Sequence, residues 1–231
     1  MEQREFTSRL SPLAALLVLL WLPMHIIGLP WLLARAGGIA DPDELNFLTY
    51  VIGAVYLLIV GFTFLRREFD TLLDHPGRIF FQIVGCYGAM LLMNMAVGGL
   101  LSAFVDPTEN PNNEAVMELV SGSYGKMSAT AIFLAPFVEE MIFRAAIFGT
   151  IRHKNRVLAY VVTILLFAVY HVWGYALDDP MSWLYLLQYV PAAYLLCRCY
   201  EYCDCLWGSI SFHMLTNFVS LQLLRVAEEL L

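Results

Sequence analysis

Two adjacent carboxylates, Glu139 and Glu140, stand with Arg144 inside an otherwise apolar run, KMSATAIFLAPFVEEMIFRAAIFGTIRHK. Downstream come His171, in FAVYHVWG, and His213 with Asn217, in LWGSISFHMLTNF. Carboxylates, imidazoles and amides are the side chains of general acid–base chemistry and of oxyanion stabilisation. Glu140 and Arg144 are four residues apart, so on a helix they share a face and can pair. Glu139 is turned by about 100° from that face and has no cation at the same spacing. One carboxylate is thus held by an internal partner, and the other is free to act on a bound molecule. Taken alone, this span also reads as a buried structural ion pair or as the proton relay of a transporter.

The elements that carry these groups must be apolar helices. Of the 231 residues 60% are hydrophobic and 14% charged, whereas a soluble domain carries about 25% charged residues. A membrane-spanning helix takes about 20 residues, so the chain accommodates seven with room for loops. A soluble enzyme and a disordered chain are excluded. The net charge of −7 excludes a nucleic-acid binder, which needs clustered Lys and Arg. Alternating segments of a membrane β-barrel are absent from the sequence. The expected fold is all-α: a polytopic membrane protein of about seven (six to eight) transmembrane helices. Its spans read as 10–34, 45–65, 79–105, 127–150, 157–174, 181–199 and 206–228, with a short surface helix near Glu114 to Val120 in the acidic break at 106–126. Arg4 and Arg9 precede an apolar run that is longer than a signal-peptide core, so it reads as an uncleaved first helix.

Charges inside a span cost about 2.5–3.5 kcal/mol each at the bilayer centre, so Glu139, Glu140 and Arg144 must face protein or water. Counting about 1.5 Å per residue from the inner span ends puts Glu139, His171, His213 and Asn217 at overlapping depths. A polar catalytic cavity between helices four, five and seven follows. With the N-terminus inside, nine basic residues (Arg4, Arg9, Arg66, Arg67, Arg78, Arg152, Lys154, Arg156 and Arg198) fall on the inner side. Three (Arg35, Lys126 and Arg225) fall outside. This bias predicts a cytoplasmic N-terminus. Cys197, Cys199, Cys203 and Cys205 read as reduced or palmitoylated thiols of a short inner loop rather than as a metal site. His25, His75 and His153 fall near span ends without a role, and Pro136 reads as a kink in span four.

Glu139-Glu140-x-x-x-Arg144, Phe167-x-x-x-His171 and His213-x-x-x-Asn217, in this order on separate spans, resemble the three motifs of the CPBP intramembrane endopeptidases. That family contains the type II CAAX prenyl endopeptidases and bacterial bacteriocin-processing and immunity proteins. The resemblance covers roughly residues 127–220 and divides the chain into N-terminal helices without motifs (1–126) and a catalytic helical core (127–231). It implies that Glu139 is the general base on a water that His171 helps to hold. His213 and Asn217 would stabilise the oxyanion, and Glu140 with Arg144 would order the site.

The implied activity is an endopeptidase acting on a membrane-associated peptide or protein in the lipid bilayer, in the cell membrane. No cofactor is expected. Glu139, His171 and His213 would make a His₂Glu zinc set, but the sequence lacks H-E-x-x-H, so metal-free glutamate catalysis stands ahead of it. The alternative is a non-enzymatic immunity or assembly factor on the same scaffold. A transporter would carry inverted repeats, and the sequence has none.

Overall fold

The computed structural model of the protein describes residues 6–122 and 124–230, and these are helical apart from short connections. In chain order the helices are α1 (Pro12–Arg35), α2 (Pro42–Asp74), α3 (Pro76–Leu101), the short α4 (Pro111–Gly122) and α5 (124–152). They continue as α6 (Arg156–Asp178), α7 (Leu186–Cys203, entered through the 3-10 turn Pro180–Tyr185) and α8 (Leu206–Leu230). The sequence marks their starts. Ser11, Asp41 and Asn155 each accept a backbone N–H of the following turn, and α1, α2 and α3 open on proline, whose missing N–H costs nothing there.

Helices α1, α2, α3 and α6 are long and apolar enough to cross a membrane. Ile59, Phe62, Phe81, Leu92, Met95 and Leu165 stand clear of the rest of the chain. So much exposed apolar surface suits hydrocarbon rather than water. The protein is an integral membrane protein. Helix α5 is the exception that explains the bundle: every residue from Val138 to Gly149 is buried. A helix enclosed on all sides is the axis around which others pack, and α1, α2, α6, α7 and α8 all touch it. Glu139, Glu140 and Arg144 in that stretch are therefore enclosed by protein and not by lipid.

The two ends of the bundle differ. At one end Lys126 at the start of α5 pairs with Glu44 of α2 at 2.6 Å. The other end holds Arg67, Arg78, Arg152 and Arg156, each donating to protein oxygens, with the Arg9 carbonyl accepting from Arg67. There Glu201 of α7 takes Arg156 at 2.8 Å, together with Arg152 and the Tyr160 hydroxyl. Arg4 lies outside the described residues, as does the side chain of Arg225.

A polar knot ties this basic end. Helix α7 stops at Asp204, whose φ of 51° lies in the left-handed region, tolerated by a short polar side chain. The Asp204 carboxylate accepts from the backbone N–H of Thr7 and Ser8, 2.8 Å each, and from the Thr7 hydroxyl at 2.7 Å. Ser8 donates in turn to the buried Glu68 of α2 at 2.6 Å, and the same Glu68 oxygen accepts from Leu206 N at 2.8 Å. A carboxylate of α2 thus caps α8, the helix that carries His213 and Asn217.

Removing that cap leaves a buried N–H without a partner, a loss of about 1–3 kcal/mol. Arg67, 57% exposed and 3.4 Å from Glu68, belongs with surface pairs worth about 0–1 kcal/mol. Glu68→Ala should therefore lower the unfolding midpoint in detergent clearly more than Arg67→Ala. Equal shifts would show that the knot does not govern stability.

Candidate active site

Helix α5 is not a uniform α-helix. Its residues Thr130–Leu134 and Glu140–Phe148 are wound in the wider π register, which is rare and frequent at functional sites. The first stretch has a consequence set by sequence. Ala135 N–H bonds to Thr130 O, five residues back. The next donor in that register belongs to Pro136, which has no N–H, so the Ala131 carbonyl is left open. Asn217 Nδ2 of α8 donates to it at 2.8 Å. Pro136 therefore does more than bend the helix: it leaves the acceptor that fixes the Asn217 amide.

The second stretch begins at Glu140. Its carboxylate and the Arg144 guanidinium are fully buried and 2.9 Å apart, the pairing that the four-residue spacing predicts. The same Glu140 Oε1 accepts from His213 Nδ1 at 2.9 Å. Arg144 lies 4.3 Å from the Phe167 ring centroid, a cation–π contact, and its Nη2 reaches Ala193 O at 3.4 Å. Removing one partner of such a pair strands the other in low dielectric.

Glu139 is 5% exposed and lies at the centre. Its Oε2 is 3.7 Å from His171 Nε2 and 3.8 Å from His213 Nε2. Each imidazole is turned by its other nitrogen. His171 Nδ1 lies 2.8 Å from the Phe167 carbonyl, which can only accept, so that nitrogen carries the hydrogen. His213 Nδ1 donates to Glu140 by the same logic. Both Nε2 atoms are thereby aimed at one carboxylate oxygen, beyond direct hydrogen-bond distance yet close enough for one small molecule beside them to reach both groups. Among the described residues no three His, Cys, Asp or Glu side chains are set to hold a metal ion.

All six residues singled out by spacing, Glu139, Glu140, Arg144, His171, His213 and Asn217, thus come together. Two tyrosines were not singled out. Tyr50 of α2 interacts through its hydroxyl with the Glu139 carboxylate and lies 3.2 Å from the Tyr170 hydroxyl. Tyr189 of α7 stacks on the His171 ring at 4.6 Å and 24°, and its hydroxyl donates to Asn110 Oδ1 at 3.3 Å. A buried tyrosine must place its hydroxyl on a partner, and that requirement was the available signal. His25 is buried in a π turn of α1, edge-on to Tyr50 at 4.7 Å, and lines the main cavity. The cysteines correct the expected loop: Cys197, Cys199 and Cys203 lie on α7 and, with Cys205, are buried. Buried thiols offer no surface for palmitate.

Two cavities meet at this cluster. One, of about 640 Å³, is walled by α1, α2, α4, α5, α6 and α8, with Tyr189 of α7, and reaches Glu139. The other, of about 390 Å³, lies between α3 and α7. His171, Tyr189, His213 and Asn217 line both. Residues 124–219 match a family model described as Rce1-like, type II CAAX prenyl endopeptidase. The similarity to that family covers 96 of the 231 residues. It begins with α5, ends within α8 and includes the six clustered residues, whereas Tyr50 lies before it. No curated protein and no solved structure matches the chain.

Breaking a buried pair costs about 3–5 kcal/mol. Arg144→Ala should accordingly give little folded protein in the membrane. Glu140→Gln with Arg144→Gln should recover most of that abundance, because both charges are gone and a side-chain oxygen at 140 can still receive His213 Nδ1. Equal abundance of Arg144→Ala and the unsubstituted chain, measured after detergent extraction, would exclude a structural role for the pair.

Proposed function

We propose that the protein is an intramembrane endopeptidase that hydrolyses a peptide bond of a membrane-associated protein or peptide, of CAAX type, through water activated by Glu139. One observation carries the reading. A carboxylate oxygen without a hydrogen-bond partner in the protein faces two imidazole Nε2 atoms at 3.7 and 3.8 Å, on a cavity inside a membrane-embedded bundle. The Rce1-like segment supports the same class of reaction.

Water between Glu139 and His171 donates one hydrogen to each and presents its oxygen to the scissile carbonyl. As the C–O bond forms, the proton passes to Glu139 and negative charge builds on the carbonyl oxygen. Asn217 Nδ2 has two hydrogens; Ala131 takes one and so directs the other, which can donate to that oxyanion. His213 can supply a second donor from Nε2 when it carries a proton on each nitrogen. Collapse of the tetrahedral intermediate breaks the C–N bond, and Glu139 returns its proton to the leaving amine. Glu140 and Arg144 position His213 and do not touch the reacting atoms.

The proposal includes seven crossings, with α5, α7 and α8 joining the four apolar helices, in the cell membrane. The basic end, with residue 6, faces the cytoplasm, as the excess of Arg and Lys there directs. Labelling of single introduced cysteines tests this: loops 75–76 and 153–155 should react from the cytoplasmic side and 106–110 from the other, and the opposite pattern would invert the topology.

Glu139→Gln keeps the shape of the side chain and removes the base. Since general base catalysis contributes about 10²–10⁴-fold, turnover of a farnesylated CAAX reporter peptide should fall at least a hundredfold while thermal stability holds. Activity should persist after exhaustive dialysis against phenanthroline. Unchanged turnover in Glu139→Gln would refute the glutamate mechanism. Activity lost on chelation and restored by zinc would move His171 and His213 to metal ligands.

A further inference from the structure

The smaller cavity is not needed by the chemistry described above, yet it opens onto the same His171, His213 and Asn217. Its far wall is α3, which lies outside the Rce1-like segment. Met90, Asn94, Val97 and Gly98 of α3 line it, and their spacing of four, three and one places them on one helix face. Asn94 is the odd member. It lies two turns inside the end of an apolar span, exposed, and among the described residues its amide has no hydrogen-bond partner in the protein. An unpaired amide in an apolar setting is costly, so this position makes sense where a polar ligand passes.

The lining has no Asp, Glu, Lys or Arg among the described residues. Its polar groups are amides, the two site histidines and the hydroxyls of Tyr189 and Thr216, set among apolar side chains, an uncharged surface that suits the backbone and small uncharged side chains of an extended peptide. Its volume of about 390 Å³ lies in the range of pockets that hold drug-sized ligands, the size of a di- or tripeptide. The larger cavity differs, with Tyr50, Tyr170, Trp173 and Tyr175 around its apolar wall. The partition between the two is the catalytic cluster itself.

We propose that the cavity behind α3 is a second substrate subsite: it takes the short, uncharged peptide flank on one side of the scissile bond, with Asn94 hydrogen-bonded to its backbone, while the larger cavity takes the other flank. This rests on the endopeptidase reading. A peptide laid across both cavities has its scissile carbonyl at the partition, where Glu139 and the two imidazoles meet. Asn94 is then a binding residue rather than a catalytic one. Gly98 sets the room available, since a side chain added there meets no protein atom within 4 Å.

Two measurements test the subsite. In the uncleaving Glu139→Gln background, cysteine is introduced at Gly98→Cys for the smaller cavity and at Asn46→Cys for the larger. The native cysteines are buried and give little background with N-ethylmaleimide. A farnesylated CAAX peptide at about ten times its Kd should slow labelling at both positions about tenfold. In the active protein, Asn94→Leu should raise KM about tenfold, the worth of one hydrogen bond, with kcat within about twofold, and Asn94→Gln should restore most of it. Gly98→Phe should discriminate against peptides with bulky residues beside the cut and spare those with small ones. Protection at position 46 alone, with unaltered KM in Asn94→Leu, would overturn the subsite and leave the proposed function standing. Protection at neither position, with no cleavage by the unsubstituted chain, would overturn both.

Discussion

The Glu140 carboxylate is shared, and much of the structure depends on that sharing. One oxygen receives the Arg144 guanidinium and the His213 ring, each at 2.9 Å and all three buried. Charge in such surroundings persists only when it is mutually compensated. The demand propagates outward. Arg144 needs a cover, which the Phe167 ring provides, and Phe167 lends its carbonyl to His171. His213 must reach Glu140, which fixes how deep α8 sits, and that depth brings Asn217 level with Ala131. A single neutralised cluster thus sets the positions of three helices.

The winding of α5 makes this compact arrangement feasible. Glu140 and Arg144 both lie in the π-wound stretch and meet inside the bundle. The register also exposes backbone acceptors that an α-helix would consume, and Pro136 keeps one of them open. The result is a helix whose main chain, as well as its side chains, contributes to the site.

The polar constellation was legible because charge and amide groups in an apolar run are costly, and cost leaves a trace in composition. The pairing of Glu140 with Arg144 followed from spacing alone. The π winding left no such trace: an apolar stretch that is buried all round has no periodicity to distinguish one register from another. For the same reason Tyr50 and Tyr189 passed as packing residues, since only their partners reveal what their hydroxyls do. The cysteines were misplaced because the clustered polar residues between Arg198 and Asp204 suggested a turn, whereas the helix runs on to Cys203 and turns only at Asp204. The role of Glu68 left no trace either, because its partners Ser8 and Leu206 lie 60 and 138 residues away in sequence, beyond any local pattern.

The knot of Ser8, Glu68, Asp204 and Leu206 also orders events during biosynthesis. Ser8 and Glu68 leave the ribosome well before their partners Tyr200, Asp204 and Leu206. Until then Glu68 has no helix to cap, and α8 cannot deliver His213 to Glu140. Chains released prematurely would contain Glu139 yet lack the groups that orient it. The carboxylate at the centre of the bundle thereby stays unoriented until α8 has been made, through hydrogen bonds that join residues nearly two hundred positions apart.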